Sequence, residues 1–566
     1  MILHANLVEA AIAHAQYKAD NTVYSFMPDG ENIENQITFH QLDQSARRLA
    51  AHLQSYGKKG DRVVLLFNPG LGFIEAFFAC LYAGMVAVPV NPPGGGQTWG
   101  TFISIVNDAG AIRILTDAAK AKFLERFSAL GEFPLELSYS CIDDAKLTPI
   151  ASYAKPNILP EDIAMLQYTS GTTSTPKGVI ITHHNLIHNQ EAIHHAIMGN
   201  ARIGVSWLPL YHDMGLIGSV LQALYLGGHC MLMSPSSFFL KPVRWLQVIS
   251  KFKAEVSGAP NFAYDLCINR IDEEQLKGID LSSWSVAASG AEAVQALTLE
   301  RFADKFSAYG FNRSSFVPCY GMAESTLLVN ARKLTTNSKF TIKEVSRQGL
   351  VHHKVSPSQS GEDLKKLVSC GVANDDSILV VDPLNSQPVD NGNVGELVIR
   401  SESVAQGYWN NPTQTAELFN RTISGKNGYF YTGDLGFIQD GEIFITGRLK
   451  DLIIIRGKNF YPKDIELVAQ GACESLIKNS GAAFSIETDN YEQLVLVHEV
   501  YRENYKAVNI IELEQEIRIA LASQLSVELT KLVLVKQGSI PITSSGKVKR
   551  LTVRNQFLTD ALSTIE

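Results

Sequence analysis

Short apolar runs recur along this chain, each followed by a stretch whose apolar residues fall at helical spacing. Arg62 to Asn68 (RVVLLFN) reads as a strand, Phe73 to Tyr82 as the helix after it, and Arg113 to Asp117 (RILTD) as the next strand. Alternation of this kind predicts an α/β fold, with helices layered on a mostly parallel sheet. The longest apolar run, Phe77 to Val90 (FFACLYAGMVAVPV), is too short to span a bilayer and stops at Asn91-Pro92-Pro93, which predicts a buried element. At 566 residues, 45% of them hydrophobic, the chain is long enough for more than one domain. Its character changes after Lys450. Leu494 to Val500 (LVLVHEV) reads as a strand, Ile510 to Leu525 as an amphipathic helix, and Lys531 to Lys536 (KLVLVK) as another strand, together a small α+β domain. No long Pro/Gly linker precedes it, so the joint is short and suits a hinge.

Bulk composition excludes several classes. Charged residues make up 19% of the chain and carry no signal for disorder. The net charge of -8 does not suggest a general nucleic-acid binder, which needs a clustered basic face, so no nucleic-acid partner is expected. It leaves room for one local basic patch toward an acidic partner. The 7 cysteines are scattered and include no C-x-x-C pair, which argues for a reducing compartment and against a disulfide framework or zinc site. The N-terminus has no basic region followed by an apolar core. No secretory signal is read there, and the expected location is the cytoplasm.

The segment Tyr168 to Val179 (YTSGTTSTPKGV) carries the chemistry. Ile163 to Leu166 leads into it and Val179 to Ile181 leads out. Glycines let backbone N–H groups turn toward an anion, the hydroxyl residues donate further hydrogen bonds, and Lys177 adds charge. The common P-loop ends G-K-[ST]; here Pro176 precedes the lysine and Gly178 follows it. Taken alone, the run reads either as a phosphate-holding loop or as a Ser/Thr/Gly surface turn.

Further motifs follow in order: Tyr211 to Leu216 (YHDMGL), Tyr320 to Thr326 (YGMAEST), Gly395 to Leu397 (GEL), Tyr431 to Asp434 (YTGD), Gly447 to Asp451 (GRLKD) and Pro541 to Val548 (PITSSGKV). With the hydroxyl-rich loop they resemble the signatures of the adenylate-forming superfamily: acyl-CoA synthetases, luciferases, peptide-synthetase adenylation domains and fatty acyl-AMP ligases. The resemblance runs over nearly the whole chain. It implies a large, multi-subdomain α/β N-terminal domain, residues 1–449, and a small mobile α+β C-terminal domain, residues 450–566, with the hinge near Lys450. It also implies ATP and Mg2+ as cofactors.

What the resemblance implies residue by residue has a physical reason in each case. Attack of a carboxylate on the α-phosphate joins two anions, so catalysis means positioning and cancelling charge on phosphate oxygens. Thr169, Ser170, Gly171, Thr172, Thr173 and Lys177 would hold the β- and γ-phosphates. Glu324 resembles the magnesium-binding glutamate; a hard cation suits one carboxylate together with phosphate oxygens and water. Ser289, Gly290 and Ala291, with Tyr320, Gly321 and Met322, resemble the adenine-contact segments. Asp434 and Arg448 would face the ribose hydroxyls, one accepting and the other donating from a fixed fork. Lys547 resembles the lysine that the small domain brings to the α-phosphate and the carboxylate. Thr172, Lys177, His212, Glu324 and Lys547 are the expected catalytic residues. His184 and His188 have the spacing of a helical metal pair, but no third-ligand motif accompanies them and no metal is assigned there.

The segment Ser206 to Cys267 is rich in large apolar residues, among them Trp207, Leu221, Met231, Phe238 and Phe262, and suits an alkyl chain at about 0.8 kcal/mol per buried methylene. Amino-acid activators of the superfamily place an aspartate where this chain has His212, which argues against an amino-acid substrate. The wording around Trp207 to Leu216, Ser257 to Cys267 and Pro318 to Leu327 is similar to fatty acyl-AMP ligases in particular. A long polar stretch, about residues 335–367, resembles the insertion that separates those ligases from acyl-CoA synthetases. In the family it packs on the large domain and accompanies loss of coenzyme A ligation. The implied partners are a fatty acid and the phosphopantetheine thiol of an acyl carrier protein. Two other readings stand beside this one: a medium- or long-chain acyl-CoA synthetase, and an inactive relative, which would be expected to lack Glu324, Asp434, Arg448 or Lys547.

Overall fold

The structure is a computed structural model. It describes the chain apart from residues 1–3, 94–97, 130–137, 145–147, 170–175, 198–200, 334–339, 358–363, 374, 456–457, 489–490, 507, 544–545 and 566. The described residues form two compact units. One holds the chain up to Phe340 together with Arg400–Arg421, and the other holds Thr341–Ile399 and the chain from Thr422 onward. Lys450 lies inside the second unit, in the 3-10 turn Leu449–Asp451. No described helix is long and apolar enough to cross a membrane.

The first unit contains two sheets. In one, the strand order is Ser138–Cys141, Arg113–Thr116, Arg62–Leu66, Val86–Pro89, Ile163–Thr169 and Lys177–Thr182. All neighbours run parallel except the last pair, which is antiparallel. The other sheet has eight strands. It is parallel through its middle and antiparallel at both edges, where Asn35–Thr38 and Leu328–Ala331 lie. This is the α/β architecture that the alternating pattern predicts. The apolar run Phe77 to Val90 resolves into the end of helix Leu71–Ala83, a turn at Gly84, and strand Val86–Pro89. From Ala76 to Ala83 every residue of that helix is buried, which is why its pattern is apolar all round. It packs against helices Leu7–Tyr17 and Phe39–Gln54; a Thr38–Gln41 capping box starts the latter.

The second unit also has two main sheets. An antiparallel sheet runs in the order Ile342–Ser346, Leu364–Val372, Glu442–Arg448, Lys426–Gln439, Gly395–Ile399 and Ile378–Val381. The other has three strands, Leu476–Thr488, Tyr491–Val500 and Leu529–Val535. Helix Ile510–Leu525 forms over the range its spacing predicts, burying Leu513, Ile517 and Leu521 beside Leu494, Leu496 and Leu534.

The polar stretch 335–367 is more ordered than its composition suggests. Residues 335–339 and 358–363 lie outside the described residues. The remainder supplies strand Ile342–Ser346, helix Arg347–Val351 and the start of strand Leu364–Val372. Its buried Val345, Leu350 and Leu367 pack with Val394, Leu435, Phe437, Phe444 and Tyr461. Lys365 Nζ also reaches Asp464 at 2.7 Å. The stretch 335–367 therefore contacts residues on both sides of Lys450.

Candidate active site

The candidate residues divide between the two units. In the first, the antiparallel strands Ile163–Thr169 and Lys177–Thr182 bracket the hydroxyl-rich loop, with Thr169 opposite Lys177. Ser170, Gly171, Thr172 and Thr173 lie outside the described residues. The chain leads into the loop past Tyr168, whose hydroxyl donates to Asp108 Oδ2 at 2.5 Å. At the exit, Lys177 Nζ lies 5.3 Å from the centre of the Tyr408 ring. Burial lowers the Lys177 pKa, and the charge of Glu324 opposes that shift.

Glu324 sits in the 3-10 turn Ala323–Ser325, directly after strand Phe316–Gly321. Its Oε1 accepts a 2.8 Å hydrogen bond from the Tyr408 hydroxyl, and its backbone carbonyl accepts from Ala405 N at 2.9 Å. Burial raises the Tyr408 pKa, and the charge of Glu324 adds to the rise, so the phenol stays a donor. Beyond the turn, Thr326 Oγ1 donates to Ser403 O at 2.7 Å. A divalent ion finds a hard carboxylate oxygen here, with hydroxyl residues in the adjoining sequence, and Lys177 suits phosphate oxygens that such an ion would share. Among the described residues no three His, Cys, Asp or Glu side chains converge. Glu324 would therefore share such an ion with phosphate oxygens and water.

Strands Val286–Ser289 and Phe316–Gly321 are parallel neighbours, with Ser289 opposite Pro318. Ser289, Gly290 and Ala291 and also Tyr320, Gly321 and Met322 consequently leave adjacent strands at their carboxyl ends, where α/β sheets bind ligands. Ser289 is fully buried and its hydroxyl has no hydrogen-bond partner among the described residues. Tyr320 is buried as well. Gly321 meets a steric requirement, because a Cβ there would lie 2.0 Å from Leu327 O. His212 starts the short helix Asp213–Gly215 and its Nδ1 lies 2.6 Å from Asp213 Oδ1. Gln167 Nε2 donates to Tyr211 O at 3.1 Å, tying this motif to the strand that leads into the loop.

Much of the apolar segment after Ser206 is core. Trp207 stacks on Phe238 at 4.0 Å between ring centroids, and Leu221, Leu224, Met231 and Tyr264 are buried. Residues Leu216–Leu221 form a π-helical turn inside it; such turns recur at functional sites. His184 and His188 do not share a ligand. Nε2 of His184 meets Glu402 at 2.8 Å, and Nδ1 of His188 meets Ser403 Oγ at 2.9 Å.

In the second unit, Asp434 and Arg448 are register partners on adjacent antiparallel strands, with Nε 3.2 Å from Oδ1. The Asp434 carboxylate is buried beneath the half-exposed guanidinium. Neighbouring Glu396 accepts from Gly433 N at 2.9 Å and fixes the turn before Asp434. Burial raises the Glu396 pKa; the bond from Gly433 lowers it and the Asp434 charge raises it further. Lys547 closes a small hairpin: its N–H donates to Thr543 Oγ1 at 3.0 Å and its carbonyl accepts from Thr543 N at 2.7 Å. Three residues on, Arg550 forks onto buried Glu466, with bonds of 2.6 and 2.8 Å to the two carboxylate oxygens.

Sequence reading assigned no role to Tyr408, Glu396, Glu466 or Arg550. Glu396 was visible as the centre of Gly395 to Leu397, but its bond to Gly433 spans separations that no local pattern encodes.

Residues 11–409 match the model for the AMP-binding enzyme family. The chain is 39% identical to JamA of Moorena producens, a medium-chain-fatty-acid–acyl-carrier-protein ligase, over 99% of this chain and 96% of that one. It is 33% identical to TtuA of Teredinibacter turnerae, a ligase of the same description, over 99% and 94% of the two chains. Among solved structures it is similar to the fatty acid AMP ligase of Legionella pneumophila, at 38% identity and a TM-score of 0.77, covering 100% of this chain and 98% of the other. A fatty acyl-adenylate ligase from the same organism, solved with acyl adenylate and pyrophosphate, matches at 37% identity and a TM-score of 0.76 over the same shares. On the strength of these full-length similarities, the chain belongs to the AMP-binding enzyme family, in its fatty acyl-AMP ligase branch.

Proposed function

We propose that this chain uses Mg2+ and ATP to activate a fatty acid as its acyl-adenylate, and then passes the acyl group to the phosphopantetheine thiol of an acyl carrier protein. One observation carries this reading: near-full-length similarity to two chains named as ligases joining medium-chain fatty acids to carrier proteins. A medium-chain acid is accordingly the first substrate to test.

In the first half-reaction a carboxylate oxygen attacks the α-phosphorus of ATP. A new O–P bond forms, the bond to the bridging oxygen breaks, and pyrophosphate leaves. Thr169 to Thr173 and Lys177 would hold the β- and γ-phosphates, and Glu324 would hold Mg2+. The ion, when bound, cancels charge on phosphate oxygens and aids departure of pyrophosphate. Ser289 to Ala291 and Tyr320 to Met322 flank the adenine, while Asp434 and Arg448 take the ribose hydroxyls. Lys547 bridges the α-phosphate and the carboxylate, as a compact point charge can. His212 stands where an amino-acid activator has its aspartate, which argues against an amino-acid substrate. The second half-reaction is attack of a thiol sulfur on the acyl carbon. The C–O bond to AMP breaks and the thiol proton is lost. The small domain from Lys450 onward pivots between the two steps.

Product masses test the acceptor. The full chain is incubated with ATP, Mg2+ and decanoate, alone, with coenzyme A, or with phosphopantetheinylated carrier protein. Acyl-adenylate in the first tube and acyl carrier protein in the third are expected. Efficient acyl-CoA formation in the second would replace this reading with an acyl-CoA synthetase.

A further inference from the structure

The segment Gln406–Trp409 pairs with strand Lys177–Thr182 at the exit from the hydroxyl-rich loop. Gln406 N donates to Ile180 O at 3.1 Å, Ile180 N to Gly407 O at 2.9 Å, and Trp409 N to Gly178 O at 2.7 Å, with Val179 bridged to Tyr408. Its position is over-determined. Gly407 has φ 137, and a Cβ there would lie 2.3 Å from Thr415 Cγ2, so only glycine fits. Tyr408 N donates to Thr415 Oγ1 at 2.9 Å, and the buried Tyr408 ring meets Phe419 edge to face at 5.3 Å.

The Glu324 turn is fixed just as firmly, from one helix. Asn189 receives a bond from Leu328 N at 3.1 Å and donates to Leu328 O at 2.9 Å and Ser325 O at 3.3 Å. One helical turn earlier, Asn185 Nδ2 donates to Glu402 O at 2.8 Å and Val404 O at 3.0 Å. Two asparagines on helix His183–Ile197 thus hold the turn that carries Glu324 and the segment leading to Tyr408. Both are buried, where an unmade bond is expensive. Between the two braced segments lies the Tyr408–Glu324 hydrogen bond, with Lys177 against the same ring.

We propose that Tyr408 is a positioning residue for Glu324. Its hydroxyl fixes one carboxylate oxygen and leaves the other for a divalent cation, while its ring face registers Lys177 beside the same point by a cation–π contact. This inference rests on the reading of Glu324 as the metal ligand. A hydroxyl serves better than a second carboxylate here, because it orients Glu324 without adding charge that would compete for the ion.

Three full-length chains test it: wild type, Tyr408→Phe and Glu324→Gln. Phenylalanine keeps the ring against Phe419 and the backbone pairing. The probe is Mn2+ in the presence of α,β-methylene-ATP, with bound metal read by electron paramagnetic resonance. Tyr408→Phe is expected to bind Mn2+ about tenfold more weakly, with unchanged affinity for the nucleotide analogue in EDTA and an unchanged melting temperature. Its Mg2+ requirement for pyrophosphate release should rise by the same factor, with KM for the fatty acid unaltered. Glu324→Gln should lose Mn2+ binding to a greater degree. If Tyr408→Phe binds Mn2+ like wild type while Glu324→Gln does not, the positioning role falls and the metal site stands. If both bind like wild type, the reading of Glu324 falls and takes the positioning role with it. A Tyr408→Phe chain that fails to fold would also overturn the proposal, since its hydroxyl would then be holding the fold.

Discussion

The hydrogen bonds that hold the Glu324 turn and those that close the Lys547 hairpin differ in their reach along the chain. The turn that carries Glu324 is fixed by partners far away in the chain: Tyr408, Ser403, Ala405 and Asn189 all reach it across long loops. Lys547 sits on a hairpin closed by Thr543, a neighbour in sequence, and the helix that follows, Arg550–Leu558, is anchored across the chain by Arg550 to Glu466 and by Arg554 to Ser485 O. Long-range bracing makes a rigid platform, suited to a group that must hold an ion in one place. A hairpin closed by a near neighbour in sequence suits a charge that is delivered. The contrast matches the division of labour proposed for the two residues.

Mutation can sharpen or break this contrast. Lys547→Ala should give the largest loss, about a thousandfold in pyrophosphate release, because it removes charge stabilisation realised in the transition state. Equilibrium dialysis with ATP should show binding retained; near-normal turnover would remove Lys547 from the mechanism. Glu324→Gln should cost about a hundredfold at fixed metal, in part recovered by raising Mg2+. Failure of metal to recover any activity would argue that the carboxylate does something else.

Arg550→Met probes the tie behind the lysine hairpin. It leaves Glu466 buried without its partner, and stability should fall by about 3 kcal/mol in urea denaturation. Adding Glu466→Gln should restore most of the stability. If the hairpin needs the anchor, the double variant stays about tenfold slow in turnover; full recovery of rate would show that the pair serves folding alone.

The last effect is a pH dependence, similar in size to the stability loss expected at Arg550. His498 is fully buried in the second unit, and burial pushes its pKa from 6.5 down to about 4. An unfolded chain takes up that proton below 6.5 and the folded one does not until about 4, so stability is complete above this window and is lost as pH falls through it. The loss is on the order of 3 kcal/mol for such a shift, and His498→Asn should flatten the slope of stability against pH between those values. An unchanged slope would place the acid sensitivity elsewhere.

Much of the fold was legible because its periods are local. Helix Ile510–Leu525 and strand Arg113–Thr116 follow from spacing within a few residues. Composition was less informative over the polar stretch 335–367, which runs into strand Leu364–Val372. Its apolar residues pack on Phe437 and Phe444, which no window around residue 364 contains. Candidate site residues could be named from the sequence only through the family resemblance of their motifs, as at Glu324, Asp434 and Lys547. Tyr408, Asn185 and Asn189 could not, because their significance lies in what they touch across the fold and not in their neighbours.

The central claim is acyl-adenylate formation, and isotope exchange reads it without any acceptor present. Labelled pyrophosphate is incubated with the chain, ATP, Mg2+ and a series of straight-chain fatty acids, and label entering ATP is counted. The account predicts exchange that requires both the fatty acid and Mg2+ and that disappears in Lys547→Ala. Absence of fatty-acid-dependent exchange across the whole series would contradict it.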